Sequence, residues 1–203
     1  MDFDFDFQYK NPVIGVDEVG RGSWAGPVIA GAALLNYLKP IDKRLNDSKE
    51  LNPKTRNEIL ENLTENTIFG IGKVSNIEID QIGIQKATFK AMEIALCDLF
   101  YKSKNFETYT ILIDGIVMPN FHKDFNCEIK LVKKGDTLSP SIAAASIYAK
   151  CFRDDLMIKI DDISRGYGFS KNMGYGTKTH KKKLLLSGPT QFHRMTFKPM
   201  SNL

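Results

Sequence analysis

Three places in the chain hold acidic side chains where they could do chemistry. Asp17 and Glu18 close the β-branched run 13–19, Asp114 closes the run 109–113, and Asp154 follows Arg153 in a long Ala-rich stretch. Ligands of α/β sheets gather beyond the carboxyl ends of strands, so acids at such ends are placed for work. Carboxylates held together repel one another, and a bound divalent cation relieves that repulsion. Hard oxygen donors without cysteine or histidine suit Mg2+ or Mn2+ rather than zinc. Taken singly, each acid is also readable as ordinary charge at a strand end or on a helix, and spacing does not choose. There is a geometric objection as well. Neighbouring residues in a regular strand point to opposite faces, so Asp17 and Glu18 share a site only if a bulge or strand end near Gly15 or Gly20 brings both round.

The segment 19–27 (Val-Gly-Arg-Gly-Ser-Trp-Ala-Gly-Pro) is the second unusual feature. Its glycines at 20, 22 and 26 permit positive φ and close approach of backbone amides to a ligand. Arg21 adds a fixed charge able to grip phosphate. The plain alternative is a tight turn between two strands, although hairpin turns seldom need nine residues and a tryptophan.

These positions need a scaffold, and the hydrophobic pattern describes one. Residues 13–19 and 26–36 read as the two strands of a hairpin. Pro53 opens a short amphipathic helix carrying Ile59, Leu60 and Leu63, and residues 67–75 read as a third strand. Positions 84, 87, 88, 91, 95 and 99 recur at helical spacing. Residues 109–113 and 128–132 are strands, residues 140–160 an Ala-rich helix, and the last forty or so are basic and rich in Gly, Lys and His. The expected class is α/β with a mixed sheet; strand order is not readable.

The whole chain sets outer bounds. Its 203 residues with 42% hydrophobic content suit one domain, and a net charge of +4 favours a polyanionic partner only weakly. Cys97, Cys127 and Cys151 are odd in number and lack CxxC spacing, which argues against a disulfide framework or zinc cluster and for a reducing, cytoplasmic setting. The start, Met-Asp-Phe-Asp-Phe-Asp-Phe, carries acids and no apolar stretch, unlike a secretory signal, and is expected to be a short edge strand or loose. No run of about 18 apolar residues exists, so no membrane partner is expected.

Residues 17–28 resemble the signature segment of ribonuclease HII. The resemblance continues through Leu45-Asn46-Asp47-Ser48-Lys49, Ile113-Asp114-Gly115, Lys134-Gly135-Asp136, residues 141–147 and Arg153-Asp154. It ends with Gly174-Tyr175-Gly176-Thr177, His180, Gly188-Pro189-Thr190, His193-Arg194 and Phe197. The blocks keep the family's order over nearly the whole chain. Two departures are Tyr148 and Cys151-Phe152, where smaller aliphatics are common in the family.

The resemblance implies a ribonuclease H-like fold: a mixed β-sheet flanked by helices, in one catalytic domain over 1–203, with residues about 165–203 as a small helical substrate-binding extension. It places the family's metal-binding carboxylates on Asp17, Glu18, Asp114 and Asp154, the preceding arginine favouring Asp154 over Asp155. Gly20, Arg21 and Gly22 would touch the ribonucleotide's 2′-hydroxyl, Tyr175 would recognise the substrate, and Lys49 would lie near backbone phosphate. The implied activity is endonucleolytic hydrolysis of the RNA-containing strand of RNA–DNA hybrids, including cleavage 5′ of single ribonucleotides embedded in duplex DNA. It would use two Mg2+ or Mn2+ ions and leave 3′-hydroxyl and 5′-phosphate ends, as in ribonucleotide excision repair and DNA replication. Residues 1–12 are too short for the N-terminal domain usual in type 3 relatives. A monomer is expected, and Arg194 stands where a sliding-clamp peptide wants an aliphatic, so no strong clamp motif is read.

Several candidates are set aside. Asp136, after Lys133, Lys134 and Gly135, reads as a turn-stabilising or helix-leading acid. His122, His180 and His193 lack zinc spacing, and bracing of the C-terminal segment is expected of the last two. Trp24 is expected to pack under the glycine loop. Lys181, Lys182 and Lys183 are expected to hold duplex phosphates.

Overall fold

The apolar run Val13–Val19 forms a central strand, β1, in the computed structural model, which describes residues 1–103 and 108–202. Around it lie β2 (Val28–Leu35), β3 (Thr67–Val74), β4 (Thr110–Asp114) and β5 (Glu128–Val132), in the order β3-β2-β1-β4-β5. β1 pairs antiparallel with β2, as the hairpin reading expected, and β2 also pairs antiparallel with β3. β1, β4 and β5 run parallel. The sheet is therefore mixed, and the carboxyl ends of three adjacent strands point the same way.

Helices cover both faces: α1 (Pro53–Thr64), α2 (Asn76–Ile82), α3 (Ile84–Ser103), α4 (Gly135–Leu138) and α5 (Pro140–Ile163). Alternation along β1 divides the core. Ile14 and Val16 join Ala91, Leu96 and Leu99 of α3 on one face. On the other, a Cβ added at Gly15 would lie 2.1 Å from the Ser141 carbonyl carbon, so the backbone of α5 rests directly on β1. Only glycine permits that approach. The buried Ala143, Ala144 and Ala145 keep the helix close, alongside Leu45, Ile59 and Leu63. Start signals match the sequence: Asn52 and Ser139 cap α1 and α5, each ahead of a proline at the first helical position.

Two segments differ from expectation. α2 is too short to show an apolar stripe, yet Ser75 accepts from the Glu78 amide at 3.2 Å and caps it. The N-terminus is neither strand nor loose: Phe5–Gln8 form a 3-10 turn. Its Asp6 is buried, accepting from Ser139 Oγ at 2.6 Å, from the Ser141 amide at 3.1 Å and from the Tyr37 hydroxyl. An anion at the amino end of α5 is favourably placed against the helix dipole, which decides the conformation.

After α5 come α6 (Phe169–Asn172) and α7 (Lys178–Ser187). Met157, Ile160, Tyr167, Phe169, Leu184 and Met200 form a core of their own that also buries Ala25, from the loop after β1. A bridge between Ala25 and His193 ties the same loop to the C-terminal segment. Among the described residues, no helix is long and apolar enough to cross a membrane.

Candidate active site

The parallel pairing of β1 with β4 sets Val16 beside Ile113, so Asp17 and Asp114 stand one step further on at the same sheet end. β5 lies next to β4, and the turn after it leads into α4, which carries Asp136. One carboxylate oxygen from each of Asp17, Asp114 and Asp136 lies within 4.8 Å of the others. Asp114 Oδ1 accepts from the Gly135 amide at 2.7 Å, fastening the end of β4 to the start of α4. Asp17 Oδ1 accepts from the Glu18 amide at 2.7 Å.

Asp17 and Asp136 are buried, with 4% and 5% of their surfaces exposed. Burial, and then the neighbouring Glu18 and Asp114, push the Asp17 carboxyl well above the usual carboxylate range. Glu18 and Asp114 are raised too, burial again leading. Such a group must either take up protons or hold a cation. An all-oxygen donor set of this kind fits a hard divalent ion.

The objection about adjacent strand residues stands, and the fold accommodates it. β1 pairs with β2 without a bulge through Val19 and Ile29. Asp17 lies on the α5 side; Glu18 lines a hollow on the α3 side with Arg21, Gln85, Phe89 and Asp114. Asp114 also lines a second hollow with Asn46, Lys49, Lys134 and Asp136. The acids thus straddle the sheet end, and Asp114 belongs to both sides. Lys49 Nζ stands at the mouth of this second hollow, 3.5 Å from Asp136 Oδ2.

Asp154, expected with these acids, is placed elsewhere. Its Oδ2 accepts from Arg56 Nη2 at 3.0 Å and its Oδ1 from Lys150 Nζ at 2.6 Å. Arg56 in turn donates to the Ser48 and Leu51 carbonyls at 3.0 and 2.6 Å. Asp154 therefore braces the segment that presents Lys49, and Asp155 is exposed. The acid that joins the cluster is Asp136, which sequence reasoning set aside. Its signal was the strand-end rule applied to β5, usable only once β5 is known to lie beside β4.

The glycine loop and Tyr175 come together. Gly20 has φ +91°, which favours glycine. A Cβ at Gly22 would lie 3.9 Å from Tyr175 Cε1. Arg21 is turned towards α3, its Nη2 donating to Gln85 Oε1 at 2.9 Å and its Nη1 standing 3.6 Å from Glu18 Oε1. Trp24 packs against the C-terminal segment, its ring 5.2 Å from that of His180.

His180 and His193 are both buried and meet through their Nε2 atoms at 2.9 Å. The tautomers follow from their neighbours. The Thr190 amide donates to His193 Nδ1 at 2.9 Å, so the His193 proton sits on Nε2. It points at His180 Nε2, and His180 Nδ1 donates to the Tyr175 carbonyl at 3.0 Å. Burial holds both imidazoles below their ordinary pKa, His193 at about 4. They brace the tyrosine segment, as expected.

Comparison with known proteins gives the chain's relatives. The sequence model for Ribonuclease HII matches residues 14–200. A ribonuclease HII of Pelagibacter ubique is 43% identical over 190 residues, covering 93% of this chain and 97% of that protein. Ribonuclease H2 from Pyrococcus horikoshii OT3 superposes with a TM-score of 0.73 at 23% identity, over 94% of this chain and 95% of that one. Bst-RNase HIII, solved in complex with Mn2+, superposes at 0.77 with 19% identity, over 94% of this chain and 68% of that one. With the sequence model and the relatives in agreement over nearly its whole length, the chain belongs to the ribonuclease HII family.

Proposed function

We propose that this protein cuts the ribonucleotide-containing strand of RNA–DNA hybrids and of DNA duplexes with embedded ribonucleotides, on the 5′ side of a ribonucleotide. Asp17, Glu18, Asp114 and Asp136 would hold the divalent cations, Asp136 in the place that sequence reasoning gave to Asp154. The supporting observation is the buried carboxylate cluster at one sheet end, whose charge calls for a cation. Bound Mg2+ or Mn2+, two ions in this reading, would supply a nucleophilic water and offset charge on the leaving 3′-oxygen.

The chain's own residues do the rest. Lys49, at the mouth of the cluster, meets a backbone phosphate. The amides of the loop at Gly20, Arg21 and Gly22, with the Tyr175 ring above Gly22, read the ribose, whose 2′-hydroxyl distinguishes RNA from DNA. The segment after α5 is the substrate-binding extension.

The experiment is incubation with Mg2+ or Mn2+ of two matched duplexes, one all-DNA and one with a single ribonucleotide. Nicking of the second alone, leaving 3′-hydroxyl and 5′-phosphate ends and stopping on chelation, is the expected result. Comparable cutting of both would replace this reading with a general DNA nuclease.

A further inference from the structure

Two fully buried arginines lie beneath the glycine loop, and their donors go to carbonyls and one hydroxyl. Arg153 Nε donates to the Pro27 carbonyl at 3.0 Å, and its Nη2 to Ser23 Oγ at 2.8 Å and the Ala25 carbonyl at 3.2 Å. Arg194 Nε donates to the Gly26 carbonyl at 3.0 Å, Nη1 to that of Arg21 at 2.8 Å and Nη2 to that of Gly20 at 2.7 Å. Ser23 Oγ closes the set by donating to the Gly20 carbonyl at 2.9 Å. The carbonyls of residues 20, 21, 25, 26 and 27 are thus all drawn inward. A guanidinium donates and cannot accept, so it fixes a loop by its carbonyls and leaves the amides to a ligand.

Arg153 reaches further. Its Nη1 donates to the Met173 carbonyl at 2.8 Å, and its guanidinium carbon lies 5.9 Å from the centre of the Tyr175 ring. A Cβ at Gly20 would stand 2.2 Å from Arg153 Nε, so loop and guanidinium are in direct contact. One side chain therefore sets the separation between the loop and the tyrosine. Burying two positive charges against neutral partners carries a large desolvation penalty, which an apolar pair of the same volume would avoid. Packing alone does not explain them.

We infer that Arg153 and Arg194 are positioning residues for ribose selectivity: by anchoring the carbonyls of residues 20 and 21 they turn the amides of residues 21 and 22 outward, and they set Tyr175 at a fixed distance from them. This rests on the proposed reading of the loop and Tyr175 as the ribose-recognising elements.

The test uses the full chain and duplex binding in Ca2+, comparing a duplex with one ribonucleotide against its all-DNA match. Unfolding temperature and Mn2+ affinity are measured in parallel. Arg194→Lys and Arg153→Lys keep the charge but not the fork of donors. They should bind Mn2+ as the wild type does, while the preference for the ribonucleotide duplex falls by about tenfold or more, as for lost bonds to a charged group. Folded lysine variants with wild-type preference would overturn the inference. If neither folds, Ser23→Ala decides. It removes one anchor and keeps both arginines, so lower preference at unchanged Mn2+ affinity supports the inference, and unchanged preference refutes it. A wild type without preference would remove the ribose reading itself, and the inference with it.

Discussion

Asp17 is almost fully buried beside Glu18 and Asp114, so without a cation it weakens the fold it belongs to. Asp17→Asn should therefore raise metal-free stability by on the order of 1 kcal/mol while abolishing cleavage. Thermal unfolding in chelator, against a nicking assay, measures both, and a lower unfolding temperature would contradict the electrostatic account. Asp136 and Asp154 should separate by kind of loss. Asp136→Asn should reduce cleavage at least about a hundredfold, since even outer-shell partners of a metal can be worth that much. Asp154→Asn should fold less stably by about 2 kcal/mol, because Arg56 loses its charged partner. At a temperature where it is folded, it should retain Mn2+ binding. Calorimetric Mn2+ titration of the two variants checks this, and loss of binding only in Asp154→Asn would restore the sequence assignment.

At the scale of elements, the histidine pair predicts a pH dependence. In the unfolded chain each imidazole titrates near 6.5; in the fold both are depressed, His193 to about 4. Between those values the unfolded state binds more protons, so stability rises with pH and falls on acidification from about 6.5 towards 4. His193→Asn should flatten that slope, as read by unfolding temperatures across pH 4–7; an unchanged slope would mean that the pair does not titrate so. The strands were legible because β1, β2 and β4 are apolar runs punctuated by glycine or acid, and α5 because its first half is rich in alanine. Asp17, Glu18 and Asp114 were legible as strand-end acids. Asp136 was not, since its meaning depends on β5 lying beside β4, a non-local fact. α2 and the Asp6 turn were hidden for related reasons. One is shorter than a periodic stripe, and the other is decided by donors 133 and 135 residues away.

For the molecule as a whole, a net charge of +4 is modest, but Lys178, Lys181 and Lys182 share one side of α7. If they meet duplex phosphates, Lys181→Glu with Lys182→Glu should weaken binding to any duplex. The slope of log affinity against log salt should fall by up to about 2, with ribonucleotide preference kept. Titrations at several KCl concentrations in Ca2+ would show it, and an unchanged slope would remove α7 from the interface. The clamp on the glycine loop also has a consequence in time. Arg194 reaches the Gly20 carbonyl across 174 residues of chain. Ribosomes add about 5–20 residues per second, so a loop made near the start waits roughly 10–35 s for its anchor. The strands carrying Asp17 and Asp114 are synthesised well before that. If the loop reads ribose as proposed, a nascent chain carries Asp17 and Asp114 before residue 194 can anchor that loop, and a chain truncated before residue 194 should lack the discrimination.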